Sequence, residues 1–95
     1  MNKYSYPAVF TPEDNGAYSI NFPDLEGCYT CGDSLADGIL MAEDILSFVL
    51  YNYENEGKMI PRPSIPSEIS LEEKELINFI ACDTLSYWKR FAKLF

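Results

Sequence analysis

Fifteen carboxylates, three cysteines and no histidine are what this chain of 95 residues has to do chemistry with. Carboxylates converging in threes or fours hold Mg²⁺ for phosphodiester cleavage, and Asp14, Asp24, Glu43 and Asp83 are the conceivable ligands. Such a site needs its acids at a strand centre and at the ends facing it. The segments that read as strands carry almost none, because the acids stand in turns and on the outer side of a helix. There is also no phosphate-cradling glycine loop and no nucleophile beside a base, so catalysis is not expected. Cys28 and Cys31 form a CxxC, but no histidine and no second CxxC completes four zinc ligands. Residues three apart on a strand point to opposite faces, so these two and Cys82 read as packing thiols in a reducing compartment. Neither a metal nor a cofactor is expected.

Charge says more. The net charge is −8, and between Tyr4 and Gly57 stand ten carboxylates and no Lys or Arg. Such a surface repels phosphate backbones and favours a cationic partner; its plainer role is to keep the protein solvated. The basic cluster KRFAKLF at the end is too short to be a nucleic-acid module, so direct DNA binding is disfavoured. No apolar run is long enough for a membrane span, and no signal-peptide pattern opens the chain, so a cytoplasmic protein without membrane contact is expected. The length fits one domain over residues 1–95, with a core in 3–64 and a returning strand and terminal helix in 76–95.

The elements that must position these residues are organised by FPDLEGCYTCGDS, residues 22–34. Pro23 closes a strand because it cannot donate to a ladder, and Gly27 and Gly32 are free to take positive φ where the chain reverses and lifts off the sheet. Ser34 offers its oxygen to the first turn of a helix, with Asp37 at the reciprocal position of a capping box. Tyr4 to Thr11 reads as a strand in which Pro7 marks an unpaired N–H side. The turn Pro12 to Gly16 leads to a half-buried strand with Tyr18, Ile20 and Phe22 on the core. Cys28 to Cys31 is a short third strand.

The helix predicted from Leu35 to about Asn55 puts Leu35, Ile39, Ala42, Ile45 or Leu46, Val49 and Tyr53 on its buried line. Leu40, Met41, Phe48 and Leu50 widen that surface, through deep packing or through contact with another subunit; a homodimer or higher oligomer is expected. Gly57 suits a left-handed cap. Three prolines make Met59 to Ser67 an extended connector, and Ser70 with Glu73 is a possible helical turn or part of a loop. Leu76 to Cys82 reads as a strand buried on both faces. Asp83 or Thr84 caps a last helix from Leu85 to Leu94, with Leu85, Trp88, Phe91, Ala92 and Phe95 on its apolar side. The order β-β-β-α-β-α is that of an α+β fold. A right-handed crossover lays the fourth strand parallel to the first, in sheet order 3-2-1-4.

At these residues the chain resembles the HicB antitoxin family. That family's pattern has a strand ending in YPA, a strand ending in FPDLPGC, then T-x-GD-[ST], an Ala/Leu-rich helix and an E-x-G-x-x-IP-x-PS connector. The matching positions include Tyr6, Pro7, Ala8, Phe22, Pro23, Asp24, Leu25, Gly27, Cys28, Thr30, Gly32, Asp33, Ser34, Gly57, Pro61, Pro63 and Ser64. The resemblance covers residues 4–64 well. It implies a partial RNase H-like fold and a partner, HicA, a small basic ribonuclease that cleaves mRNA and whose active site the antitoxin covers. Two departures stand out. Glu26 replaces the family's proline, and many members continue into an operator-binding domain, whereas this sequence stops at Phe95. Operator binding and a separate DNA-binding domain are therefore not carried over.

On this reading the chain inhibits by stoichiometric binding. Asp24, Glu26 and Asp33, placed on two loops at one end of the sheet, pair with the toxin's Lys and Arg, and Glu13 and Asp14 on the hairpin form a second set. Exposed ion pairs contribute only about 0–1 kcal/mol each, so Tyr29, Tyr18 and the exposed helix apolars are the anchors. Asp24 and Asp33 also read as turn and pre-cap residues. The alternatives are a degenerate RNase H-like domain working as a dimeric regulatory or ligand-binding module, and a metal-dependent nuclease.

Overall fold

Alternation along the first strand decides which side of the sheet is buried. Tyr6, Ala8 and Phe10 are buried on one side, with Tyr4 packed against them, and they meet a helix there. The computed structural model describes residues 1–92. Strands β1 (Lys3–Pro12), β2 (Tyr18–Asn21), β3 (Tyr29–Gly32) and β4 (Leu76–Asp83) form a sheet in the order β3-β2-β1-β4. Helix α1 (Leu35–Glu56) covers one face, and the short α2 (Thr84–Tyr87) continues into a π-helical turn, Trp88–Ala92. Among the described residues no helix is long and apolar enough to cross a membrane.

The sheet order is the expected one, but β4 does not run parallel to β1. It is antiparallel, with Lys3 opposite Asp83 and Phe10 opposite Leu76. The connector explains the reversal. Near the start of β1, the Tyr4 hydroxyl donates to Glu54 Oε2 at 2.7 Å, which places the end of α1 there. The Tyr6 hydroxyl then donates to the Pro61 carbonyl, and at the far end of β1 Thr11 Oγ1 donates to Glu75 Oε2 at 2.6 Å. Residues 58–75 thus travel the length of β1, and β4 must run back. A crossover needs only the helix to return the chain; here an extended connector adds a second pass.

β1 is interior, yet Pro7 meets no ladder partner on the β2 side, because the β1–β2 register begins at Val9. On β4 only Ile80 and Cys82 are buried, while Phe79 is 54% exposed and Ala81 faces solvent. The expectation of a strand buried on both faces fails because β4 is an edge strand with one covered side.

Ser34 caps α1 by accepting from the Asp37 N–H at 3.1 Å. Asp37 returns a bond to the N–H of Asp33 at 2.9 Å, one residue before the cap rather than on it. Gly57, at φ 68°, ends the helix, and the Lys58 N–H reaches the Tyr53 carbonyl at 2.9 Å. The buried line runs through Gly38, Ala42, Leu46 and Leu50, with Ile45, Val49 and Tyr53 partly buried. Leu35 and Ile39 are exposed instead, and Leu50 belongs to the core. The phase is set by Gly38, where a Cβ would lie 3.0 Å from Ile20 Cδ1 and 3.3 Å from the Phe10 ring. Gly27 has the expected positive φ of 75°. Gly32 does not, and its role is close approach: a Cβ there would stand 2.4 Å from backbone atoms of Gly38.

Asp83 is the cap of the last helix, accepting from the N–H groups of Leu85 and Ser86 at 2.9 and 3.3 Å. Thr84 is buried and bonds Glu54 Oε2 at 2.9 Å. The α-helix is far shorter than expected and carries a different packing residue. Tyr87 tilts against Tyr51 at 5.3 Å between ring centres, whereas Leu85 and Phe91 stay exposed. Leu94 and Phe95 of the predicted helix lie outside the described residues. In the connector the helical turn is a 3₁₀ turn at Pro66–Glu68 rather than one starting at Ser70.

Candidate functional site

Register places the side chains of the sheet's second face. Tyr29 stands opposite Asn21, Asn21 opposite Val9, and Val9 opposite Ile77, and paired residues share a face. A second row runs Cys31, Ser19, Thr11. This is the side away from α1. Its β1 portion is covered by the returning connector, which leaves Pro7 and Val9 buried. Its β2–β3 portion is open: Ser19, Asn21 and Cys31 are exposed, and the Tyr29 side of β3 presents a residue 69% exposed.

Between the two portions lies a cleft of about 510 Å³. Val9, Pro23 and Ile69 supply its apolar part, and Asp24, Glu68, Glu72 and Glu75 line it with carboxylates and no Lys or Arg. Glu75 is held below the usual carboxyl range, first by the hydrogen bond from the Thr11 hydroxyl and second by the Glu72 N–H, whose distance is 2.8 Å. It therefore stays ionised under ordinary conditions. An open, acidic cleft with a phenol beside it suits a cationic protein surface, not a phosphate backbone.

The expected partner residues separate into distinct places. Asp24 is half-buried and engaged: one oxygen accepts from the Ser64 N–H at 2.8 Å and the other from the Ser64 hydroxyl. It pins the connector that forms the cleft. Glu26 is exposed in the turn beyond. Asp33 is not at that end. Tyr18 faces both Gly32 and Pro12 across the ladders, so Asp33 lies at the opposite end of the β2–β3 pair, with Glu13 and Asp14. The loops before β3 and after it sit at opposite ends because one strand separates them. Glu13 Oε1 accepts from the Ser19 hydroxyl at 2.8 Å, which turns it toward the open face. Tyr18 packs its ring edgewise on Phe10 at 6.1 Å and lies partly buried against the core, so of these two tyrosines Tyr29 is the exposed one.

Glu68, Glu72 and Glu75 were not singled out from sequence. Their signal was the density of acids in SEISLEEKE, which only the connector's path brings beside Asp24.

Nothing in the acid arrangement resembles a metal centre. Asp24 and Asp83 bond Ser64 and helix N–H groups, and among the described residues no three His, Cys, Asp or Glu side chains are grouped to hold an ion. Burial pushes the Cys28 thiol up to about 12 and the Cys82 thiol up to about 11, whereas Cys31 is exposed on the other face.

Residues 5–77 match the family described as the HicB-like antitoxin of bacterial toxin–antitoxin systems. The antitoxin HicB of Escherichia coli strain K12 is 32% identical over 59 residues, covering 62% of this chain and 43% of that protein. A 14.9 kDa protein of Haemophilus phage HP1 is 30% identical over 75 residues, 79% of this chain and 55% of its own length. The chain spans about half the length of these curated relatives. Among solved structures, a toxin–antitoxin complex from Streptococcus pneumoniae superposes with a TM-score of 0.82 at 22% identity, over 90% of this chain and 72% of that one. A chain of the HicA3 and HicB3 toxin–antitoxin complex gives 0.66 at 26% identity, over 84% of this chain and 99% of that one. With the matched region spanning β1 to β3, α1 and the connector, this chain belongs to the HicB-like antitoxin family of bacterial toxin–antitoxin systems.

Proposed function

We propose that this chain neutralises a small basic HicA-type, mRNA-cleaving toxin in the cytoplasm by binding it stoichiometrically, with no catalysis of its own. The observation that carries this reading is the open sheet face, where Tyr29 stands beside a cleft lined by Asp24, Glu68, Glu72 and Glu75 with no Lys or Arg in the lining, Arg62 standing beyond it at 4.0 Å from Glu68. Tyr29 is the anchor, and the carboxylates draw in and orient the cationic surface that would otherwise hold RNA. Glu13 and Glu26 extend the acidic rim at the two ends, and Asp14 and Asp33 contribute to the field. Family membership supports the partner class.

The test is co-expression with the product of the adjacent reading frame. Wild type relieves growth arrest and co-purifies with the toxin; the variant Y29A/E68K/E72K, still folded, does neither. Full neutralisation by that variant overturns the assignment of the face, and failure of the wild type to bind overturns the function.

A further inference from the structure

The connector, residues 58–75, is held by weaker means than the rest of the fold. None of its residues is buried, and Met59, Ile65 and Leu71 are 90%, 55% and 43% exposed. The core cluster lies between the sheet and α1, and of the connector only Ile60 packs against it. The connector's own backbone bonds, such as that from the Ile69 N–H to the Pro66 carbonyl at 3.1 Å, stay inside the segment. Among the described residues, no backbone-to-backbone hydrogen bond joins residues 59–74 to the sheet. Side chains make the attachment at three points: Tyr6 on Pro61, Asp24 on Ser64, and Thr11 on Glu75. A segment attached in this way can lift from Pro7 and Val9 without opening the core, at a free-energy cost well below that of global unfolding.

Charge opposes the attachment. Docking sets Glu68, Glu72 and Glu75 around one cleft with Asp24, which belongs to the loop between β2 and β3. Arg62 and Lys74 move with the connector, and neither lines the cleft. Like charges gathered on a concave surface repel one another, and they separate when the connector lifts. A cation in the cleft reverses the sign, because it meets four carboxylates while the connector is docked and fewer once it is released. A ligand that prefers one of two states shifts their balance by the ratio of its affinities for them. We infer that the connector is a strap that closes on its partner: the carboxylates that draw in a cationic surface also loosen the strap in the free protein, and bound Lys or Arg side chains tighten it. The strap takes its partner from the proposed toxin contact and adds a conformational step to it.

Amide exchange followed residue by residue on the full chain tests this. In the free protein the Ser64 amide should exchange at least about a hundredfold faster than the core amides of β1. E68Q/E72Q removes two charges and keeps an acceptor for the Ile65 N–H, which Glu68 Oε1 holds at 2.9 Å. It should slow Ser64 exchange about threefold to fivefold. Millimolar tetralysine, compared with sodium chloride of equal ionic strength, should slow it about as much in wild type and far less in E68Q/E72Q. Ser64 exchange as slow as that of β1, unchanged in the variant, or slowed equally by tetralysine in both proteins overturns the strap. Added toxin should slow it further. A toxin that binds without doing so overturns the strap and leaves the toxin contact standing. If tetralysine acts as expected and the toxin does not bind, the strap holds and the toxin reading falls.

Discussion

Gly32 and Gly38 touch backbone to backbone: a Cβ on Gly32 would sit 2.4 Å from both the Cα and the amide nitrogen of Gly38. The end of β3 and the first turn of α1 are therefore held at a spacing that only a missing side chain permits. Gly32→Ala is expected to destabilise the fold by about 1–3 kcal/mol or more, because backbone, not a flexible side chain, must yield. Urea denaturation followed by circular dichroism measures it. An Ala variant as stable as wild type would show that the helix start is free to slide.

Asp24 acts first on the connector. Its two bonds to Ser64 hold residues 58–75 against the sheet. Asp24→Asn and Ser64→Ala should each lower stability by about 1–3 kcal/mol, and faster amide exchange should be confined to the connector and β4. If toxin affinity drops in Asp24→Asn while exchange there is unchanged, the carboxylate is a direct contact instead.

Alkaline pH should unfold the protein early. Cys28 and Cys82 are raised from 9.0 to about 12 and about 11, and Tyr6 from 10.0 to about 12, each chiefly by burial. The unfolded chain gives up these protons first, so stability is undiminished below about pH 9 and falls as pH rises toward 11 and 12. Urea midpoints between pH 7 and pH 11 check the sign. In the same samples Ellman's reagent should label Cys31 rapidly at neutral pH and the other two thiols only on unfolding.

Toxin binding should divide between anchor and rim. Tyr29→Ala is expected to raise the dissociation constant at least about thirtyfold through a faster off-rate. Glu68→Lys with Glu72→Lys should mainly slow association, with the difference shrinking as salt is added. Stopped-flow binding at two ionic strengths separates the two effects.

Much of this architecture was legible in the residues themselves. Alternation in YSINF named the buried face of β2, and Ser34 and Gly57 marked both ends of α1, because these signals are local. The direction of β4 was not, since it depends on where an extended connector goes, and proline fixes its local shape without fixing its route. The same limit hid the cleft. Asp24 and Glu75 are far apart in the chain and adjacent only after that route is taken. Periodicity also misread Leu35 and Ile39, which have the right spacing for burial but flank Gly38, where the helix meets Ile20 and Phe10 with no side chain of its own between.

β1 is ten residues long, yet β2 pairs with only its last four, and its fuller partner, β4, comes some seventy residues later. Contacts of such high order form slowly, and on a ribosome they cannot form before the eightieth residue or so has emerged. Nascent chains of this protein therefore pass through a stage in which β1 has an open flank and the connector is untethered, exposed to proteases. Translation completes the sheet only once β4 has emerged, so the working supply of folded molecules tracks synthesis through β4 rather than initiation.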